Sequence, residues 1–158
     1  MGTIRILEGE LVARELKFAI VAARFNDFIV EPLVKGAVNA LKEQGADESN
    51  IDLVRVPGAY ELPLIAMKLA QSKRYDAVIA LGAVIKGATA HFEYVCNECA
   101  SGLTRAALDS SVPVAFGVLT VDTIEQAVER AGPDSTNKGA EAALVAIQMA
   151  NLLKLLDK

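Results

Sequence analysis

The stretch Asp76–Cys99, DAVIALGAVIKGATAHFEYVCNEC, decides the fold. Ala77–Ile85 is apolar without a break, where a half-buried strand would alternate, so it reads as a central strand of a parallel sheet covered on both faces. The small-residue loop that follows leads into a helix from about Ala90 to Asp109, which opens with the only histidine, His91. Such a loop at a helix N-terminus offers unpaired N–H groups and a positive dipole end, a seat for a phosphate or oxyanion. The imidazole beside it can exchange protons at neutral pH.

Outward from this stretch the strand-then-helix order repeats. Lys17–Ala23 reads as a buried strand broken by Arg24-Phe25-Asn26-Asp27. Phe28–Gln44 follows with helical spacing through Ile29, Leu33, Val34, Ala37, Val38 and Leu41, and Gly45 supplies its stop. Ile51–Val56 is a second strand, Pro57-Gly58 a turn, and Tyr60–Ser72 a helix with Pro63 in its first turn. Val112–Leu119 is the fourth strand, and helices close the chain around Thr123–Ala131 and Asn137–Leu156. Ile4–Leu7 is a candidate edge strand. Four such units predict right-handed crossovers in an open α/β layer structure, with function at the strands' carboxyl ends. Those ends are Arg24–Asn26, Pro57–Glu61, Gly82–His91 and Phe116–Thr120. The run Ala142–Ile147 has no fully polar face and predicts burial of the last helix on more than one side.

With 158 residues the chain fits one domain spanning its whole length. Its apolar content of 53% is high, yet Ala77–Ile85, the longest apolar run, is too short to cross a bilayer. The excess apolar surface is expected to meet other subunits. A net charge of −4 without a Lys or Arg cluster argues against nucleic-acid and anionic-membrane partners. The N-terminus lacks a secretory pattern and there are two cysteines, which makes the cytoplasm the expected compartment.

Several motifs come close to known chemistries. In Gly82–Thr89 the lysine, Lys86, precedes the second glycine, and Ala88 stands where a nucleotide-binding P-loop needs lysine, so ATP hydrolysis is not expected. No Gly-x-Gly-x-x-Gly run exists, so a dinucleotide fingerprint is missing. What survives is an anion seat at Gly87, Ala88 and Thr89, or a plain strand-to-helix turn. His91-x-Glu93 with Cys96-x-x-Cys99 imitates a zinc deaminase signature. On one helix, however, positions 91, 96 and 99 differ by about 140° and 80° and span about 12 Å, so they cannot share an ion. The cysteines read as structural thiols rather than a redox pair. Phe25 could stack on a flat heterocycle or belong to the core; Arg130 and Lys138 could clamp a phosphate or be solvated charges. Lys86 as a Schiff-base nucleophile is an alternative chemistry, and a binding or shell protein without catalysis a non-enzymatic one.

The blocks Arg24-Phe25-Asn26, VPGAYELP, LGAVIKGATAHFEYVC, PVAFGVLTVDTIEQAVERAG and NKGAEAA, in this order over nearly the whole length, resemble the lumazine synthase family. The resemblance implies a flavodoxin-like subunit, a three-layer sandwich with a central four-stranded parallel sheet, whose N-terminal segment adds an edge strand to a neighbouring subunit. It implies a transferase, without cofactor or metal, that condenses 5-amino-6-(D-ribitylamino)uracil with 3,4-dihydroxy-2-butanone 4-phosphate. The products would be 6,7-dimethyl-8-ribityllumazine, phosphate and water.

By the same resemblance Phe25 stacks on the pyrimidine with Asn26 beside it, and Ala59, Tyr60 and Glu61 hold the ribityl chain. Ala83, Val84 and Ile85 contact the uracil edge. Gly87, Ala88 and Thr89 take the phosphate, and His91 transfers protons. Phe116, Arg130 and Lys138 come from the neighbour in a homopentamer or a sixty-subunit icosahedral shell of pentamers, and association with riboflavin synthase is a further partner the family admits. The chain departs from many shell-forming members at Pro133-Asp134-Ser135-Thr136, where they carry a Thr-Lys-x-Gly type of sequence.

Overall fold

The structure is a computed structural model that describes residues 2–133 and 136–158. Its elements are β1 (Phe18–Ala23), α1 (Asp27–Glu43), β2 (Ile51–Val56), α2 (Leu62–Gln71), β3 (Ala77–Ile85), α3 (His91–Ser110), β4 (Val114–Val121), α4 (Ile124–Arg130) and α5 (Lys138–Leu156). All strand pairs are parallel, in the order β2-β1-β3-β4. The expected four-stranded sheet with helices around it is present, and β2 and β3 have the expected bounds.

The uninterrupted apolar strands are covered on both faces, as their sequences require. Phe18 and Ile20 of β1 join Ile79 and Leu81 of β3 in a core with Leu33 and Leu41 of α1 and Ile147 of α5. The alternate residues Ala19, Val21, Val78 and Ala80 pack with Leu62 and Ala66 of α2 and Leu103 and Ala106 of α3. Each fully buried large aliphatic side chain contributes about 1.5–3 kcal/mol, so β1 and β3 form the most stable part of the molecule.

Helix α1 stops where the sequence indicates, at a Schellman motif. Gly45 has φ +103°, its N–H donates to Lys42 O at 3.0 Å, and the Ala46 N–H donates to Leu41 O at 3.0 Å. Strand β4 starts at Val114 rather than Val112, because Pro113 has no N–H to donate; its carbonyl instead accepts from the Val78 N–H at 2.8 Å. Helix α2 begins at Leu62 after a 3-10 turn at Ala59–Glu61.

Two expectations need correction. Ile4–Leu7 forms no strand within this chain, and Ile4 and Ile6 are 63% and 55% exposed. The chain docks further along instead, where the Asn151 Nδ2 on α5 donates to Glu10 O (2.7 Å) and Val12 O (2.9 Å). Helix α5 buries one face, through Ala142, Ala143, Ala146, Ile147 and Ala150, and leaves Val145 and Met149 half exposed. The sheet and α1 cover only one side of it. In the loop after Gly132, where the chain departs from the Thr-Lys-x-Gly type of sequence, Asp134 and Ser135 lie outside the described residues.

Candidate active site

A cleft of about 590 Å³ opens at the carboxyl ends of β1, β2 and β3. Phe25 and Asn26 line it from β1, Ala59, Tyr60 and Glu61 from the turn after β2, and Ala83, Val84 and Ile85 from β3. His91 closes it from the start of α3. Nine of the fifteen site residues expected from sequence therefore meet in one place.

Backbone geometry puts Phe25 there. Beyond β1, the Arg24 N–H donates to Val56 O (2.8 Å) and the Phe25 N–H to Pro57 O (2.9 Å), which prolongs the ladder past the sheet. Asn26 then turns left-handed at φ 64°, and its carbonyl accepts from the Ile29 and Val30 N–H groups to start α1. Its side-chain Nδ2 donates to Ala83 O at 2.8 Å, tying the exit of β1 to β3. Phe25 is left 72% exposed over the cleft, a position the core does not explain.

Gly87, Ala88 and Thr89 form the exposed loop before α3. A Cβ on Gly87 would meet nothing within 4 Å, so no described residue demands a glycine there. Ala90, at the N-cap, supplies no side-chain hydrogen bond, and the His91 N–H reaches only the Thr89 Oγ1 at 3.4 Å. The start of α3 thus keeps donors for an anion. The Lys86 side chain is exposed and is not among the cleft residues, while its N–H ends the β3–β4 ladder on Val121 O.

Helix α3 runs unbroken through His91, Cys96 and Cys99, which therefore lie at different angles on one axis. Burial raises the Cys96 thiol and, helped by the neighbouring Cys96, pushes Cys99 up to about 11. Both are protonated, poorly reactive thiols at neutral pH.

Phe116, Arg130 and Lys138 are not in the cleft. They line a second cavity of about 500 Å³ between β4, the end of α4 and the start of α5, and no described residue lines both spaces. One Arg130 guanidinium nitrogen donates to Gln126 O at 3.1 Å, and Lys138 Nζ lies 3.0 Å from Glu141. These half-exposed partners hold the cations only weakly, so both stay free to take an anion.

Pro57 and Gly58, at the strand end where function was expected, also line the cleft, and so do Tyr94 and Val95, which sequence reasoning missed. Tyr94 and Val95 stand three and four residues after His91, the spacing that shares a helix face, and could have been found by that rule.

A parallel sheet between helical layers, with its cleft at the strands' carboxyl ends, defines a flavodoxin-like α/β protein. The sequence model of the 6,7-dimethyl-8-ribityllumazine synthase family matches residues 15–154. The chain belongs to this family, one of transferases in riboflavin biosynthesis that act on small molecules as oligomers.

Proposed function

We propose that the chain condenses 5-amino-6-(D-ribitylamino)uracil with 3,4-dihydroxy-2-butanone 4-phosphate to give 6,7-dimethyl-8-ribityllumazine. The observation that carries this reading is the grouping of an exposed Phe25, a histidine and an uncapped helix N-terminus around one cleft in a member of this family. The pyrimidine lies on Phe25, its ribityl chain on Ala59, Tyr60 and Glu61, and its edge against Ala83–Ile85. The phosphate of the second substrate rests on Gly87, Ala88 and Thr89.

The 5-amino nitrogen attacks the ketone carbon, and loss of water gives an imine. Removal of a proton beside the imine expels phosphate with the C–O bonding pair, and the resulting enol becomes a second carbonyl. Attack by the ribityl-bearing nitrogen, with loss of a second water, closes the ring. The electrophile and nucleophile are both substrate atoms, so the protein has protons to move and two molecules to hold together. His91 moves the protons; Arg130 and Lys138 of a neighbouring copy complete the phosphate seat.

The half-exposed apolar residues Phe116, Val128, Val145 and Met149 fit a homo-oligomer, which we take to be a pentamer or a shell of pentamers in the cytoplasm. Ile4–Leu7 is free to pair with a neighbour's sheet. Purified protein given both substrates should develop the lumazine absorbance with equimolar phosphate release; phosphate without lumazine, or neither, would reject the assignment.

His91→Ala is expected to lower turnover by about tenfold, less than the hundredfold or more typical of general acid–base groups. Phosphate is a good leaving group, and water in an open cleft can carry protons. Single-turnover kinetics with saturating substrates check this, and an unchanged rate would remove the proton-transfer role.

A further inference from the structure

We propose that Asn137 is a positioning residue that sets the spacing of Arg130 and Lys138 for a phosphate dianion. The inference rests on the reading above, in which those two side chains receive the phosphate. Arg130 is the last residue of α4 and Lys138 the first of α5. The Asn137 side chain ties the end of one helix to the start of the other. Its Nδ2 donates to Ala131 O at 3.3 Å and to Pro32 O of α1 at 3.0 Å, while its Oδ1 accepts from the Ala140 N–H at 3.0 Å.

One amide thus joins the end of α4, caps the start of α5, and fixes both to the middle of α1. Asn137 is 4% exposed; its bond to Ala131 O is buried and the other two are partly buried, so losing the amide leaves the Ala131 carbonyl without this partner and out of water. Lys138 is covalently next to the anchor, and Arg130 is one residue from the carbonyl it holds. The separation of the two cations is therefore set by the Asn137 side chain as much as by the intervening loop.

Helix α1 is shaped to receive it. A Cβ on Gly36 would lie 2.3 Å from Asn137 Oδ1 and 2.6 Å from Nδ2, a distance no real contact allows. Adding a methyl there pushes the amide off its partners from the far side, without touching Arg130, Lys138 or the cleft. Bidentate or paired recognition of a phosphate depends on the spacing of its donors, and misplacement by about 1 Å costs up to a hundredfold where geometry is critical.

Two variants separate positioning from general structural damage. Asn137→Ser retains an oxygen for the α5 cap but loses the Nδ2 that reaches Ala131 O and Pro32 O, and Gly36→Ala displaces the intact amide. Each is expected to raise KM for the phosphorylated butanone, and the inhibition constant of inorganic phosphate, by about tenfold. KM for the pyrimidine should stay within about twofold, with sedimentation unchanged.

Arg130→Ala, measured alongside, tests the underlying reading. If it leaves both phosphate-dependent constants unchanged, the phosphate assignment to Arg130 fails. If it raises them while Gly36→Ala, assembled normally, does not, Asn137 is not a positioning residue. Equal rises for both substrates in Gly36→Ala would likewise overturn the inference, and that variant decides the matter should Asn137→Ser fail to assemble.

Discussion

Replacing Arg130 by alanine should lower kcat/KM for the phosphorylated butanone by about a hundredfold, the loss of one charge-assisted pair to a phosphate in a partly enclosed site. The charge is available for that purpose. Among the described residues Arg130 is held by the Gln126 carbonyl and a 3.9 Å approach to Glu129, and it faces a cavity together with Lys138. The Gly87–Thr89 loop provides backbone donors and a helix dipole but no cation, and a doubly charged phosphate needs one for tight binding. The loss should appear mainly in KM, with the pyrimidine's affinity little altered. Steady-state kinetics with each substrate varied separately check this, and an equal loss for both would point to damage elsewhere.

Gly139→Ala should destabilise the protein by about 3 kcal/mol, although alanine favours a helix over glycine by about 1 kcal/mol. A Cβ at Gly139 would lie 2.1 Å from the carbonyl oxygen of Leu33 and 2.8 Å from its carbon. Both are backbone atoms of α1, so no side chain can turn aside; the two helices must separate, opening the core that Leu33 and Ile147 fill. Gly87→Ala is the control, since a Cβ there meets nothing, and its stability should stay within about 0.5 kcal/mol of the parent. Denaturant midpoints at one fixed protein concentration compare them, because assembly adds to apparent stability. A Gly139→Ala protein as stable as the parent would mean that α1 and α5 pack less closely than described.

The fold was legible where burial leaves a pattern along the chain. Ala77–Ile85 announces a strand covered on both faces, Gly45 a helix stop, and the residues after β1, β2 and β3 a common edge. Most of the cleft could be read for the same reason, since parallel strands bring their carboxyl ends together. Features set by contacts distant in sequence were not legible. Asn137 meets Pro32 across 105 residues, and nothing local distinguishes it from an ordinary helix cap. The apolar run in α5 predicted burial on more than one side, but hydrophobicity alone does not say whether its own chain or a partner covers Val145 and Met149. The N-terminal segment has the same character: Ile4 and Ile6 have strand-like side chains, yet within this chain they find no edge to join.

The central claim is that two half-sites of this chain, the Phe25–His91 cleft and the Arg130–Lys138 cavity, complete each other across copies. Co-expression of two variants tests it most directly. Phe25→Arg places a charge in the cleft at an exposed position, and Arg130→Ala empties the other half. In randomly mixed assemblies, about one interface in four pairs an intact cleft with an intact cationic half, so about a quarter of parental activity should return. Activity in the mixed assemblies no higher than the mean of the two separate variants would contradict a site shared between copies.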